Sequence, residues 1–161
     1  MTAPEKGWTI EDGILTVNKG GPQHGRDIIT KKEFSEFDLY FEFRLTKAAN
    51  SGLKYLFRKY EQGGWLGNEY QVLDDDFHPD AKAGRNGNRK TAALYDILPA
   101  GKKEMNATGE WNSARIVVKG SKVTHYLNGK KTVTYDRNSQ TYRDAVELSK
   151  FKDAKPLFGT V

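Results

Sequence analysis

The stretch FDLYFEFRLT, Phe37 to Thr46, constrains the fold more than any other part of the chain. Phe37, Leu39, Phe41, Phe43 and Leu45 alternate with Asp38, Tyr40, Glu42 and Arg44. Side chains of a strand leave opposite faces in turn, so this run makes one apolar face and one wet face. A strand with one wet face belongs to an antiparallel sheet that buries its other face against a second layer.

The same grammar recurs along the chain. WTIEDGILTV reads as two short runs around Glu11-Asp12-Gly13, and RDIITKKEF as another brief strand. SGLKYLFRKY sets Leu53, Tyr55 and Phe57 against Lys54, Leu56 and Arg58, and NEYQVLD sets Tyr70 and Val72 against Glu69, Gln71 and Leu73. TAALYDIL is a short apolar run closed by Pro99. WNSARIVVKGSKVTHYLNGKKTVTYD reads as three strands joined at Gly120-Ser121 and Asn128-Gly129, the second being the strongest hairpin signal because Asn and Gly accept positive φ. The period changes only in TYRDAVELSKF, where Thr141 reads as a helix N-cap with Asp144 as its partner and Ala145, Leu148 and Phe151 at helical spacing. The expected architecture is all-β, a single-domain sandwich of antiparallel strands with one short helix near the C-terminus. At 161 residues the chain is long enough for one core.

What is missing narrows the chemistry. With no cysteine, disulfides, thiolate metal sites and a cysteine nucleophile are excluded. There is no phosphate-binding Gly-Lys-Ser/Thr loop, no nucleophile elbow and no His-Glu-x-x-His helix. The net charge of +5 is dispersed over Lys31-Lys32, Lys102-Lys103 and Lys130-Lys131, so no nucleic-acid partner is expected. AGRNGNRK reads as a loop, and Asn106-Ala107-Thr108 is a formal sequon that matters only in a eukaryotic secretory chain. No run approaches a membrane span, which points to a soluble chain or a mature one without its signal.

The segment NEYQVLDDDFH gathers the acids. Glu69 and Gln71 share a strand face and are candidates to line a groove, with a plain exposed strand face as the alternative. Asp74 sits at the strand end, and Asp75, Asp76 and Asp80 read as a solvated turn before and after Pro79. The run lacks EF-hand spacing, so no cofactor is expected, a divalent metal being left open. His125, the one histidine inside a clear strand, is the candidate proton carrier, with a hydrogen-bonded structural histidine as the alternative. Trp65 and Trp111 stand at loop edges where an indole can stack on a pyranose.

Taken in order, FDLYFEFRLTKAANSGLKYLFR, NEYQVLDDD, TAALYDILPA, GEWNSARIVVKGSKVTHYLNGKKTVTYD and SKFKDAKPLFG resemble the 3-keto-disaccharide hydrolase domain family, over residues 8 to 159. The resemblance implies a concanavalin A-like lectin/glucanase jelly roll, exported bacterial proteins and hence a periplasmic or secreted location, and glycosides oxidised at C3 as substrates. It also implies a further strand pair beyond KPLFG; as this sequence stops at Val161, the expectation is either a fragment or a sheet completed differently. Matched position by position, it implies Glu69 and His125 as catalytic residues and Asn50, Arg58, Gln71, Asp74, Tyr95, Trp111 and Asn112 as substrate-binding ones, with Ser51, Gly52 and Glu110 in the accompanying turns.

A ketone at C3 acidifies the C2 hydrogen, so one base and one oxyanion partner suffice to expel the C1 substituent, after which water adds back. On this reading His125 or Glu69 is the base and Arg58 or Tyr95 holds the oxyanion. Direct hydrolysis by a carboxylate pair is the second enzymatic expectation, and a non-catalytic carbohydrate-binding module is the alternative outside enzymes. The oligomeric state is left open.

Overall fold

The computed structural model describes residues 7–18, 27–60 and 64–159. The chain divides into two compact units, Met1–Glu33 and Phe34–Val161. In the first, β1 (Trp8–Glu11) and β2 (Ile14–Val17) form the expected antiparallel hairpin, with Asp12 and Gly13 both at positive φ. The strand expected in RDIITKKEF is absent: no residue from Asp27 to Phe34 joins a ladder, and Arg26 lies outside the described residues. Ile28 and Ile29 are exposed, 44% and 53%, so the run's apolar residues are not buried as a core strand's would be.

The second unit is a sandwich of two antiparallel sheets, as the alternation required. One has the order β3 (Phe37–Arg44), β6 (Trp111–Lys119), β7 (Lys122–Leu127), β8 (Lys130–Asp136); the other pairs β4 (Asn50–Lys59) with β5 (Trp65–Leu73). Phe43, Leu45, Ile116, Val123 and Leu127 meet Tyr55, Tyr70 and Val72 between them. Aromatic edges join the sheets, with Phe41 against Tyr70 at 5.6 Å and Phe37 against Tyr55 at 6.2 Å between ring centroids. The Asn128-Gly129 turn forms with both residues at positive φ.

Three local readings are corrected. A bulge between Tyr55 and Arg58, with Leu56 at φ 50°, ends the alternation of β4, so Phe57 leaves the Leu53-Tyr55 row and packs on Trp65 instead. TAALYDIL forms no strand beyond the bridges of Leu94 to Tyr70 and Leu98. The helix, α1 (Gln140–Glu147), starts two residues early: Ser139 caps it, its hydroxyl accepting from the Tyr142 amide at 3.2 Å, and the buried stripe is Tyr142 and Val146 while Leu148 is exposed. Two 3-10 helices, Pro79–Lys82 and Lys152–Phe158, complete the unit. Among the described residues no helix is long and apolar enough to cross a membrane.

Candidate functional site

A cleft of about 450 Å³ is lined by Asn50, His78, Pro79, Asp80, Ala83 and Tyr95. Its construction begins where β5 ends. Asp74 is 1% exposed and its carboxylate is spent on backbone amides: Oδ2 accepts from Ala48 at 2.7 Å, Oδ1 from Asp76 and Phe77 at 3.3 and 3.4 Å. This knot reverses the chain and delivers His78 as cap of the 3-10 helix, its Nδ1 accepting from the Asp80 amide at 3.1 Å. A neutral ring with Nδ1 accepting carries its proton on Nε2, which makes that nitrogen a donor.

The far wall is laid along β5 by backbone hydrogen bonds. The Ala92 amide donates to the Gln71 carbonyl at 2.8 Å, the Gln71 amide to Ala93 at 3.2 Å, and the Tyr95 amide to Glu69 at 3.0 Å. Tyr95 is thereby set beside the face of β5 that carries Glu69 and Gln71, opposite the buried Tyr70 and Val72. Gln71 is itself buried and its Nε2 donates to Asn50 Oδ1 at 3.4 Å, leaving the Asn50 amide hydrogens for a ligand. The Glu69 carboxylate lies over Gly52, where a Cβ would stand 2.0 Å from Oε1.

Charge alternates along this wall. Tyr95 donates to Asp80 Oδ2 at 2.8 Å and accepts from Lys150 Nζ at 3.0 Å. Arg89 donates to Asp80 at 2.8 Å and to Asp96 at 2.5 Å, while Asp96 also accepts from the Lys150 amide at 2.7 Å. Partial burial opposes charge on Asp80, but the hydrogen bonds from Arg89 and Tyr95 outweigh it and hold the carboxyl below its usual range. Burial first, and then the Asp80 carboxylate, push the Tyr95 phenol well up, so it stays protonated. Burial, and then the nearby Arg89 charge, lower Lys150 against the opposing pull of Asp96, Asp80 and Glu69. Its ammonium also sits 4.2 Å from the centre of the Tyr95 ring.

Of the residues expected at the site, Asn50, Glu69, Gln71 and Tyr95 are brought together. The other five are not. Asp74 is the turn knot described above. Arg58 pairs with Leu66, three residues from Glu69 along β5 and beyond the bulge, and is turned from that face. Trp111 and Asn112 start β6 in the other sheet: the indole lies under the Arg44 guanidinium at 5.0 Å, and Asn112 Oδ1 accepts from Asn106 N and Asn128 Nδ2 at 2.8 and 2.9 Å. His125 is fully buried, its Nε2 2.6 Å from the Tyr55 hydroxyl, and burial lowers it to about 4. It belongs to the core, where its ring packs against Tyr55 and Tyr70 at 5.6 and 4.9 Å between centroids.

The turn reading of the acids is also revised. Asp75 is paired with Lys103 at 2.6 Å and accepts from the Thr91 amide, and Asp80 is a cleft residue; only Asp76 is exposed as expected. Sequence reasoning therefore missed His78 and Asp80, hidden in an apparent turn, Arg89, hidden in an apparent loop, and Lys150, which lies in SKFKDAKPLFG without standing out. Among the described residues no group of three or more His, Asp or Glu side chains is arranged to hold a metal ion.

The fold is a two-sheet β-sandwich with a hydrogen-bonded row of carboxylate, phenol and ammonium beside one sheet. The chain belongs to the family described as the 3-keto-alpha-glucoside-1,2-lyase-like domain, which matches residues 1–157. A 3-keto-disaccharide hydrolase of Bacteroides thetaiotaomicron is 37% identical over 164 residues, covering 92% of this chain and 57% of its own length, so the chain spans little more than half of that relative. Two crystal structures from Parabacteroides distasonis, each of a "putative glycosyl hydrolase", share the fold. One has a TM-score of 0.75 at 28% identity, covering 92% of this chain and 70% of its own; the other has 0.65 at 26%, covering 85% and 66%.

Proposed function

We propose that this domain cleaves glycosides whose sugar carries a ketone at C3, by elimination across C1 and C2 followed by addition of water. The observation that carries the reading is the hydrogen-bonded row Lys150, Tyr95, Asp80 along a cleft that also holds Asn50 and His78, with Glu69 within electrostatic reach of Tyr95 and Lys150. The sugar class comes from the names of the family and of the Bacteroides relative.

Glu69 is the base. Its carboxylate takes the C2 proton, the electrons of the C–H bond move to the C3 carbonyl oxygen, and the Lys150 ammonium and the His78 Nε2 proton hold the enolate that forms. Return of those electrons breaks the bond from C1 to the departing oxygen, which is protonated by the acid form of Glu69. That collapse re-forms the C3 ketone beside a C1–C2 double bond, and water then adds across it, its oxygen to C1 and a proton to C2, to give the free 3-keto sugar. Asn50, fixed by Gln71, orients a sugar hydroxyl, and Tyr95 fixes Lys150 rather than ionising. A carboxylate-pair hydrolysis requires one carboxyl to stay protonated. Asp80 is held ionised by Arg89 and Tyr95 and is unsuited to that part.

The deciding experiment is turnover of 3-keto and unoxidised glucosides in deuterium oxide, read by mass spectrometry. Elimination and hydration place solvent deuterium at C2 of the released sugar, beyond the exchange of a control incubated without enzyme. Cleavage without deuterium supports direct hydrolysis, and binding without cleavage supports a carbohydrate-binding module.

A further inference from the structure

Buried polar groups away from the cleft converge on one carbonyl. Ala92 is fully buried and holds φ 67°, a left-handed backbone that an L-residue adopts reluctantly and that persists only where its surroundings enforce it. Its carbonyl lies 3.3 Å from His125 Nδ1 and 3.3 Å from Thr132 Oγ1. Nδ1 facing a carbonyl carries the proton, so Nε2 accepts from the Tyr55 hydroxyl at 2.6 Å, and Tyr55 in turn accepts from Tyr135 at 2.8 Å. The chain of donors runs in one direction from β8 through β4 and β7 to Ala92.

Thr132 reaches the same carbonyl because of an irregularity in β8. The register shifts between the pairs His125 with Val133 and Tyr126 with Lys131, which leaves Thr132 as the extra residue; it and Val133 are both buried. A bulge re-aims a side chain in this way. Beyond the held carbonyl, the Ala93 carbonyl and the Tyr95 amide make the hydrogen bonds that dock the cleft wall on Gln71 and Glu69.

We propose that His125 and Thr132 are positioning residues: by gripping the Ala92 carbonyl from the core they keep the left-handed turn closed and so set Tyr95 beside Glu69. The consequence for turnover rests on the reading of the cleft given above; the grip itself does not. A histidine serving only as packing would leave the Ala92 to Tyr95 segment indifferent to its donor.

The test is amide hydrogen exchange on the whole chain, with turnover of a 3-keto-glucoside measured in parallel. Thr132→Val keeps shape and removes one donor, and His125→Leu removes the other; each is expected to speed exchange of the Tyr95 amide by about tenfold, while amides at the β6–β7 ladder keep their protection. His125→Asn, whose side-chain amide can replace Nδ1–H, is expected to restore most of it, as is Ala92→Gly added to Thr132→Val, since glycine takes positive φ freely. In turnover the expected loss is in kcat with KM unmoved. Unchanged Tyr95 exchange in Thr132→Val, or a loss spread evenly over both sheets and not rescued by Ala92→Gly, overturns the proposal. A wild-type chain that does not turn over 3-keto-glucosides defeats the functional reading alone, and the exchange data still decide the grip.

Discussion

The Tyr95 hydroxyl donates to Asp80 at 2.8 Å and receives the Lys150 ammonium at 3.0 Å, so one phenol joins a carboxylate and a cation that lie 70 residues apart in the chain. Asp80→Asn removes the charge that both Tyr95 and Arg89 address. The expected cost is about 2 kcal/mol in thermal or urea unfolding. Because the folded state holds Asp80 below its ordinary 3.8, that contribution is present above pH 3.8 and is lost as pH falls below it. An Asn variant as stable as the parent at neutral pH would contradict this account.

Gly52 and Glu69 offer a second test. A methyl at Gly52 collides with the end of a flexible side chain, not with backbone, so Gly52→Ala is expected to change stability by less than about 1 kcal/mol while displacing the Glu69 carboxylate. Turnover of a 3-keto-glucoside should fall by about 10²-fold or more in Gly52→Ala as in Glu69→Gln. Full activity in either variant removes Glu69 from the role of base.

His125 predicts a pH dependence that reports on the core. Its folded value is near 4 against an ordinary 6.5, because burial disfavours the charged ring. Between these values the unfolded chain binds a proton that the folded chain refuses, so stability is full above pH 6.5 and declines toward pH 4. The loss is on the order of 3 kcal/mol. Urea titrations from pH 7 to 4 should show this slope in the parent and a flatter one in His125→Leu.

Asp74→Ala and Trp111→Ala separate scaffold from chemistry. Loss of the Asp74 acceptor is expected to cost about 2 kcal/mol, because it strands the amides of Ala48, Asp76 and Phe77. Trp111→Ala should leave kcat and KM for a small 3-keto-glucoside within about twofold, since the indole starts a strand of the other sheet and does not line the cleft. A large rise in KM would place sugar on the other sheet and favour the binding-module reading.

The period-two pattern of Phe37 to Leu45, the Asn128-Gly129 turn and the shared face of Glu69 and Gln71 were all legible in the sequence, because each is a local consequence of backbone geometry. A strand fixes which residues share a face over a few positions, and nothing else is needed to find them. The same rule placed His125 with Val123 and Leu127 but could not say whether that face was core or groove. Only the packing of β7 against Tyr55 and Tyr70 decided that it was core.

The cleft itself was decided by tertiary structure. Asp80, Arg89, Tyr95 and Lys150 sit in segments without a repeating pattern, and what joins them is the knot at Asp74, the left-handed turn at Ala92 and the docking of residues 92–95 on β5. Hydrogen bonds between distant segments leave no periodic mark in a sequence, so the strand faces could be read from residue order alone while the constellation on them waited for the fold.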